Sequence, residues 1–289
     1  MAQPDSAAVR PELGPESLLW RYAGDWRSVV EGTSAGVLQL MYPALGAAVA
    51  RQSEFFGDPF GRIYRSVPQI WATIFAGDHE VRGVRIRELH RDIKGVMGSG
   101  ERYHALDPGT FWWAHATFTW LIFRSVELYY PAGELDDAGR ERLYRETVEW
   151  YRRYGVSMRP VPEDYAAFRA AFTRICLEEL ELTPAARRAL EIAEFGEPEA
   201  IPVLPAGVAR ALRRVLRPWS RGAVVGGLPP EVRERFGLRW SRGDERRDRF
   251  TTGVVRVGFR VLPGRVNRGS FSWAIRLLGA RTRSRRFAR

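Results

Sequence analysis

Cysteine is nearly missing from this chain: Cys176 stands alone, which excludes an intrachain disulfide and any zinc site built on thiolates. Lysine is equally scarce, with Lys94 alone among 45 basic residues and arginine supplying the rest. That bias runs through the whole sequence, so it does not by itself argue for phosphate recognition. Long hydrophobic runs are absent too. The two most apolar stretches, GVLQLMYPALGAAVA (36–50) and FWWAHATFTWLIF (111–123), fall short of the roughly 20 residues a bilayer-spanning helix needs. MAQPDSAAVRPELGPESLLW lacks the basic-then-apolar pattern of a secretory leader. The expectation is a soluble, cytoplasmic protein. Also absent are the HExxH zinc helix, the G-x-S-x-G elbow, the Walker-type loop, a G-x-G-x-x-G after a strand, and the paired Glu-x-x-His motifs of a di-iron bundle.

What is present is a globular composition. With 289 residues, 45% of them hydrophobic and 12% aromatic, the chain can bury a large core. Charge is unevenly spread. Residues 240–289 hold 14 arginines against 3 acidic residues, while the first 239 are balanced, so the net +11 lies wholly in the tail.

Helical signals dominate. Asp58-Pro59, Asp107-Pro108 and Thr183-Pro184 each set a capping side chain before a proline at the first helical position. After Asp58, apolar residues recur at Phe60, Ile63, Tyr64, Val67, Ile70, Trp71, Ile74 and Phe75, with Pro68 expected to kink or split the rod. A second helix, capped by Asp78, is expected to carry Ile86, Leu89, Ile93 and Val96 and to stop at Gly98-Ser99-Gly100. Further helices are expected from Asp107, over 137–154, along Tyr165, Phe168, Phe172 and Ile175, and at 184–195, 205–217 and 229–236. VVRVGFRVL (254–262) alternates like a strand but has no partner. The fold class is all-α: a single multi-helix domain over 18–265, preceded by an N-terminal arm (1–17) and followed by a basic amphipathic tail (266–289).

His115 sits among aromatic rings. On a helix it shares a face with Phe111, Trp112, Phe118, Thr119 and Ile122. Such an imidazole is either a core histidine satisfied by a backbone carbonyl or by Thr119, or an axial ligand to haem iron between flat apolar walls. His90 lies on its own expected stripe with Arg87 three residues before it. That arginine is either a snorkelling surface cation or part of an anion, propionate or oxygen site. His79 and His104 take no role. In the tail, Phe271, Ala274, Ile275 and Leu278 form an apolar face with arginines beyond it. That pattern suits a membrane surface, or a frayed terminus docked on the core; nucleic acid is disfavoured for want of a recognition fold.

Several blocks resemble the rubber-oxygenase (latex-clearing protein) superfamily with the mpaB-type catalytic domain, which has many actinobacterial members. They are GVLQLMYPALGAAVARQSEFFGDPFGRIYRS (36–66), RELHRDIKG (87–95), YHALDP (103–108), WAH (113–115), PVPEDY (160–165) and GGLPPEVRERFGLRWS (226–241), in one order from about residue 18 to 265. The resemblance implies a helical domain around haem b, with His115 as proximal iron ligand and Arg87 and His90 beside the haem on the other side. Trp112 and Thr119 then belong to the pocket. It also implies an oxygenase using dioxygen, with an electron donor as an allowed partner, on a hydrophobic small-molecule or polymeric substrate of isoprenoid type. The sequence departs from the family where Tyr42 replaces a histidine before proline, and where His90 and Arg91 stand in place of lysine and threonine. Alternatives are a peroxidase or peroxygenase, a haem carrier or sensor, and a non-enzymatic helical protein at a membrane surface.

Overall fold

The computed structural model describes residues 13–51, 59–195 and 221–284, with side chains placed for all but 59–65, 193–195 and 276–284. Apart from one short hairpin, the described chain is helical.

The order begins with α1 (Leu18–Ala23), a 3-10 turn (Trp26–Val29), α2 (Gly32–Met41) and α3 (Pro43–Arg51). The last two form an apolar pair bent by 97°, and α2 is largely buried. No single helix among the described residues is long and apolar enough to cross a membrane. Next come α4 (Pro59–Phe75) and α5 (His79–Leu89). Pro68 neither stops nor splits α4, which runs through it as one helix. The Asp58 cap lies outside the described residues, as does the helix expected at 205–217.

After α5 the structure corrects the sequence reading. The expected helix to residue 97 ends at Leu89, and the chain turns into a hairpin, β1 (Lys94–Val96) paired antiparallel with β2 (Arg102–His104). Gly98-Ser99-Gly100 is the hairpin's turn and not a helix stop, with Gly100 at φ +90°. Ile93 and Met97 therefore pack on α3 through Tyr103, Ala44 and Ala48, and do not continue a stripe with Ile86. The physical reason is local: Gly95 weakens a helix there, and two glycines around a serine favour a tight reversal.

The remaining elements are α6 (Pro108–Tyr129), α7 (Asp137–Arg152), α8 (Tyr165–Glu178), α9 (Pro184–Phe195), a π turn (Gly222–Gly226), α10 (Pro230–Arg235), α11 (Arg242–Val261) and α12 (Gly264–Ser284). The alternating 254–262 stretch is thus helical, its valines spaced around α11. Ser241 and Asp244 start that helix with a reciprocal capping box.

α6 is the central rod, packing against α2, the 3-10 turn, α7 and α11. Its buried residues cover most of its circumference, as expected of a helix with neighbours on all sides. Trp113 stacks on Phe172 at 5.0 Å, and Trp120 stacks on the other part of that contact at 5.7 Å. Trp113 donates its indole N–H to the Leu38 carbonyl, and Trp71 donates to Ala23, so these large buried rings keep their polar atoms bonded. Where α2 begins, Tyr129 donates a hydrogen bond to the buried Glu31, whose carboxyl burial pushes up to about 7.

The C-terminal helix closes back on the start of the chain. Phe271 of α12 is buried, meeting Trp26 edge-on at 5.2 Å within a cluster that includes Trp71 and Leu121. Asn267 donates to Asp25 at 2.8 Å and accepts from the Trp26 amide at 3.2 Å. Arg27 also holds Asp25, and its guanidinium lies 3.6 Å from the Tyr130 ring centroid.

Candidate functional site

His115 lies about a third of the way along α6 and is buried. Its neighbours come from α7: the ring centroids of Trp150, Tyr151 and the following Tyr154 lie 4.6, 5.0 and 6.0 Å from the imidazole. Nε2 is 3.0 Å from the Thr147 carbonyl. A carbonyl only accepts, so Nε2 carries the proton and Nδ1 keeps the lone pair. That Nδ1 is the one buried side-chain nitrogen or oxygen without a hydrogen-bond partner among the described residues. Burial drives the imidazole pKa down to about 3, against the smaller opposing effect of the Thr147 carbonyl, so the ring is neutral throughout the physiological range.

Thr147, Trp150, Tyr151 and Tyr154 were legible as a group. They stand at intervals of three, one and three, which is one helical face. The helical face expected to wall the site, with Trp112 and Thr119, is the one on His115's own helix. The structure places Trp112 instead toward Phe168 of α8 at 6.5 Å, and Thr119 buried one turn further along α6.

Arg87 and His90 reach the same neighbourhood from α5. This depends on Gly83, where a β-carbon would run into the Arg153 carbonyl, so α5 can cross the end of α7 only with glycine there. The crossing sets Arg87 beside Gly155, whose positive φ of 64° ends the α7 segment. Arg87 Nη1 donates to the Gly155 carbonyl at 2.8 Å, and the same guanidinium pairs with Glu88. His90 caps α5, with Nδ1 2.8 Å from the Ile86 carbonyl. Its ring meets Phe111 at 5.8 Å, and Phe111 meets Tyr154 at 5.4 Å. A chain of rings, His90–Phe111–Tyr154–His115, therefore links the two histidines. His104 sits elsewhere, with Nε2 on the Arg91 carbonyl, and His79 caps toward Ala76.

Arg153 fastens the floor of this region. It is largely buried and donates to the carbonyls of Thr73 and Ile74 at 2.6 and 3.0 Å, while Trp150 donates to the Thr73 hydroxyl at 2.7 Å. The end of α4 is thus bonded to the end of α7, whose Trp150 packs against His115.

As a donor, His115 suits an axial metal ligand. One nitrogen is anchored to a carbonyl that sets tautomer and orientation, and the other holds an unused lone pair in an apolar surround. The space beside it, as packed here, is filled by rings. Two open hollows among the described residues, of about 430 and 270 Å³, are lined from Leu18 to Arg142 and from Arg21 to Arg268, and neither touches His115. No group of three or more His, Cys, Asp or Glu able to hold a metal occurs among the described residues.

The sequence of residues 20–258 matches the family model described as ER-bound oxygenase mpaB/B'/rubber oxygenase, catalytic domain. Two curated relatives, uncharacterized proteins of Mycobacterium bovis and Mycobacterium tuberculosis, are each 26% identical over 248 residues, spanning 79% of this chain and 88% of theirs. No solved structure matches significantly.

Proposed function

The chain belongs to the mpaB/rubber oxygenase catalytic-domain family, and on that premise we propose a haem-dependent oxygenase acting with dioxygen on a hydrophobic, unsaturated substrate, with His115 as the axial ligand. The observation that carries this reading is the lone pair of His115 Nδ1, buried, neutral and unused. Leaving such an atom unsatisfied costs about 1–3 kcal/mol, which favours a bound group that uses it.

Bound haem would supply the iron at which dioxygen is activated. The chain's own contributions are distinct. The Thr147 carbonyl fixes which imidazole nitrogen is protonated and holds the ring's angle. Trp150, Tyr151, Tyr154 and Phe111 exclude water and offer flat apolar surface, which suits a hydrocarbon substrate. Arg87 and His90 would be the donors to negative charge developing on the reacting oxygen. Arg87 is engaged by Gly155 and Glu88, so taking up that role requires its release. The rings packed over His115 must likewise part to admit a macrocycle.

The test is the visible spectrum of the protein as purified and after reconstitution with haem. One haem per chain is expected, with the Soret band lost or shifted in His115→Ala while circular dichroism stays unchanged. A folded wild-type protein that takes up no haem, or an unaltered spectrum in the variant, overturns the assignment. Oxygen uptake with an isoprenoid polyene then tests the reaction class.

A further inference from the structure

α11 turns bulky apolar side chains toward water. Phe250, Val254, Val257 and Val261 follow one another at intervals of four, three and four, a single helical face, and are 68, 46, 59 and 75% exposed. The opposite face, with Thr252 and Val255, is the one packed on the core. At the corner into α12, Leu262 and Val266 are exposed as well, and Trp273 is 64% exposed while its neighbour Phe271 is buried. The apolar face of the tail noted in the sequence is thus occupied through Phe271 by the core, and a different apolar row faces outward. A continuous row of this kind marks a surface that something else covers.

One flank of the row is basic. Arg249, Arg256 and Arg260 lie about a quarter turn from it. The last two, with Arg268 of α12, Arg21, Arg27 and Glu134, wall a hollow of about 270 Å³ against the rings of Tyr129 and Tyr130. Asp25 neutralises Arg27, and Glu134 neutralises Arg21. Arg256 is oriented by the Leu128 carbonyl at 2.9 and 2.7 Å, which leaves its charge uncompensated. Neither it nor Arg260 nor Arg268 has a carboxylate partner among the described residues.

We propose that the outward face of α11 and its corner with α12 dock the protein on an anionic lipid surface, with the apolar row entering the acyl boundary and the arginine-walled hollow taking a lipid phosphate. Charge decides between occupants. Residues 249–289 contain eleven arginines and no acidic residue. A second copy meeting this face by two-fold symmetry would set arginine against arginine, with Glu134 and Asp25 already engaged by Arg21 and Arg27. A nucleic acid would satisfy the arginines and leave the Phe250–Val261 row in water. An anionic bilayer satisfies both, since apolar insertion and arginine–phosphate contact act together at its surface. This inference is independent of the haem reading.

The experiment is sedimentation of the full chain with vesicles of phosphatidylcholine alone and of phosphatidylcholine mixed equally with phosphatidylglycerol. Binding to the mixed vesicles, weakened by salt and absent with phosphatidylcholine alone, is expected. Val257→Asp/Val261→Asp and Arg260→Glu/Arg268→Glu are each expected to weaken it about tenfold or more. These positions are exposed, so circular dichroism should be unchanged. The proposal is overturned if mixed vesicles are not bound at low salt, or if both double variants bind as well as wild type. It is also overturned if the protein self-associates and Val257→Asp/Val261→Asp abolishes that while vesicles never bind, or if duplex DNA is bound and the valine variant binds it unchanged.

Discussion

His115 Nδ1 is the buried side-chain atom that stands without a hydrogen-bond partner among the described residues. Its partner on the other side of the ring is main-chain oxygen, so the imidazole is a packed core residue that keeps one lone pair without a hydrogen-bond partner. This state depends on the ring remaining uncharged. The folded pKa lies below the ordinary 6.5, at about 3, so the stability contributed by this group is fully present above pH 6.5 and is lost as pH falls toward 3. Replacing His115 with leucine should remove that loss. In urea titrations from pH 7 to pH 4, the difference in stability between wild type and the variant is expected to shift in favour of the variant as pH drops. A constant difference would mean that the imidazole titrates normally. From sequence, His115 stood out because an imidazole among five rings is a poor space-filler. Its real neighbours did not, because the wall comes from a helix more than thirty residues away (the Thr147 bond spans 32) and helical spacing speaks only of a residue's own helix.

At the level of elements, the crossing of α5 over the end of α7 brings Arg87 and His90 to the site. Gly83→Ala would force the two backbones apart. A loss of about 1–3 kcal/mol is expected from the overpacking, measured by chemical denaturation, together with weakened protection of the α5 amides in hydrogen exchange. The helices starting at Pro108, Asp137, Tyr165 and Pro184 were legible because each has a proline or aspartate start and an apolar face. The β1–β2 hairpin was not. Ile86, Leu89, Ile93 and Val96 match a helical period by coincidence, and a three-residue strand is too short to show alternation. The same limit applies to 254–262, where valines alternate in sequence yet lie around a helix whose apolar row points outward. Periodicity shows that a face exists; only the packed structure shows whether that face is covered.

For the whole molecule, class was the most legible property, since helix-start signals and the lack of paired strand patterns both pointed to an all-α chain. How the ends meet was not legible, because nothing in composition links Asp25 to a side chain 242 positions later. Asn267 and Phe271 nevertheless join the last long helix to the first turns. The family match stops at residue 258, short of both. Cutting the gene at that boundary would remove the amide from a buried carboxylate and uncover the rings of Trp26 and Trp71. The shortened product is expected to melt several degrees lower and to elute from a sizing column as aggregates, whereas the full chain elutes as a discrete species. The ribosome completes this latch only after a further 242 residues have followed Asp25. Until then the newly made N-terminal portion presents an unsealed seam, and its protection during translation depends on a segment not yet made.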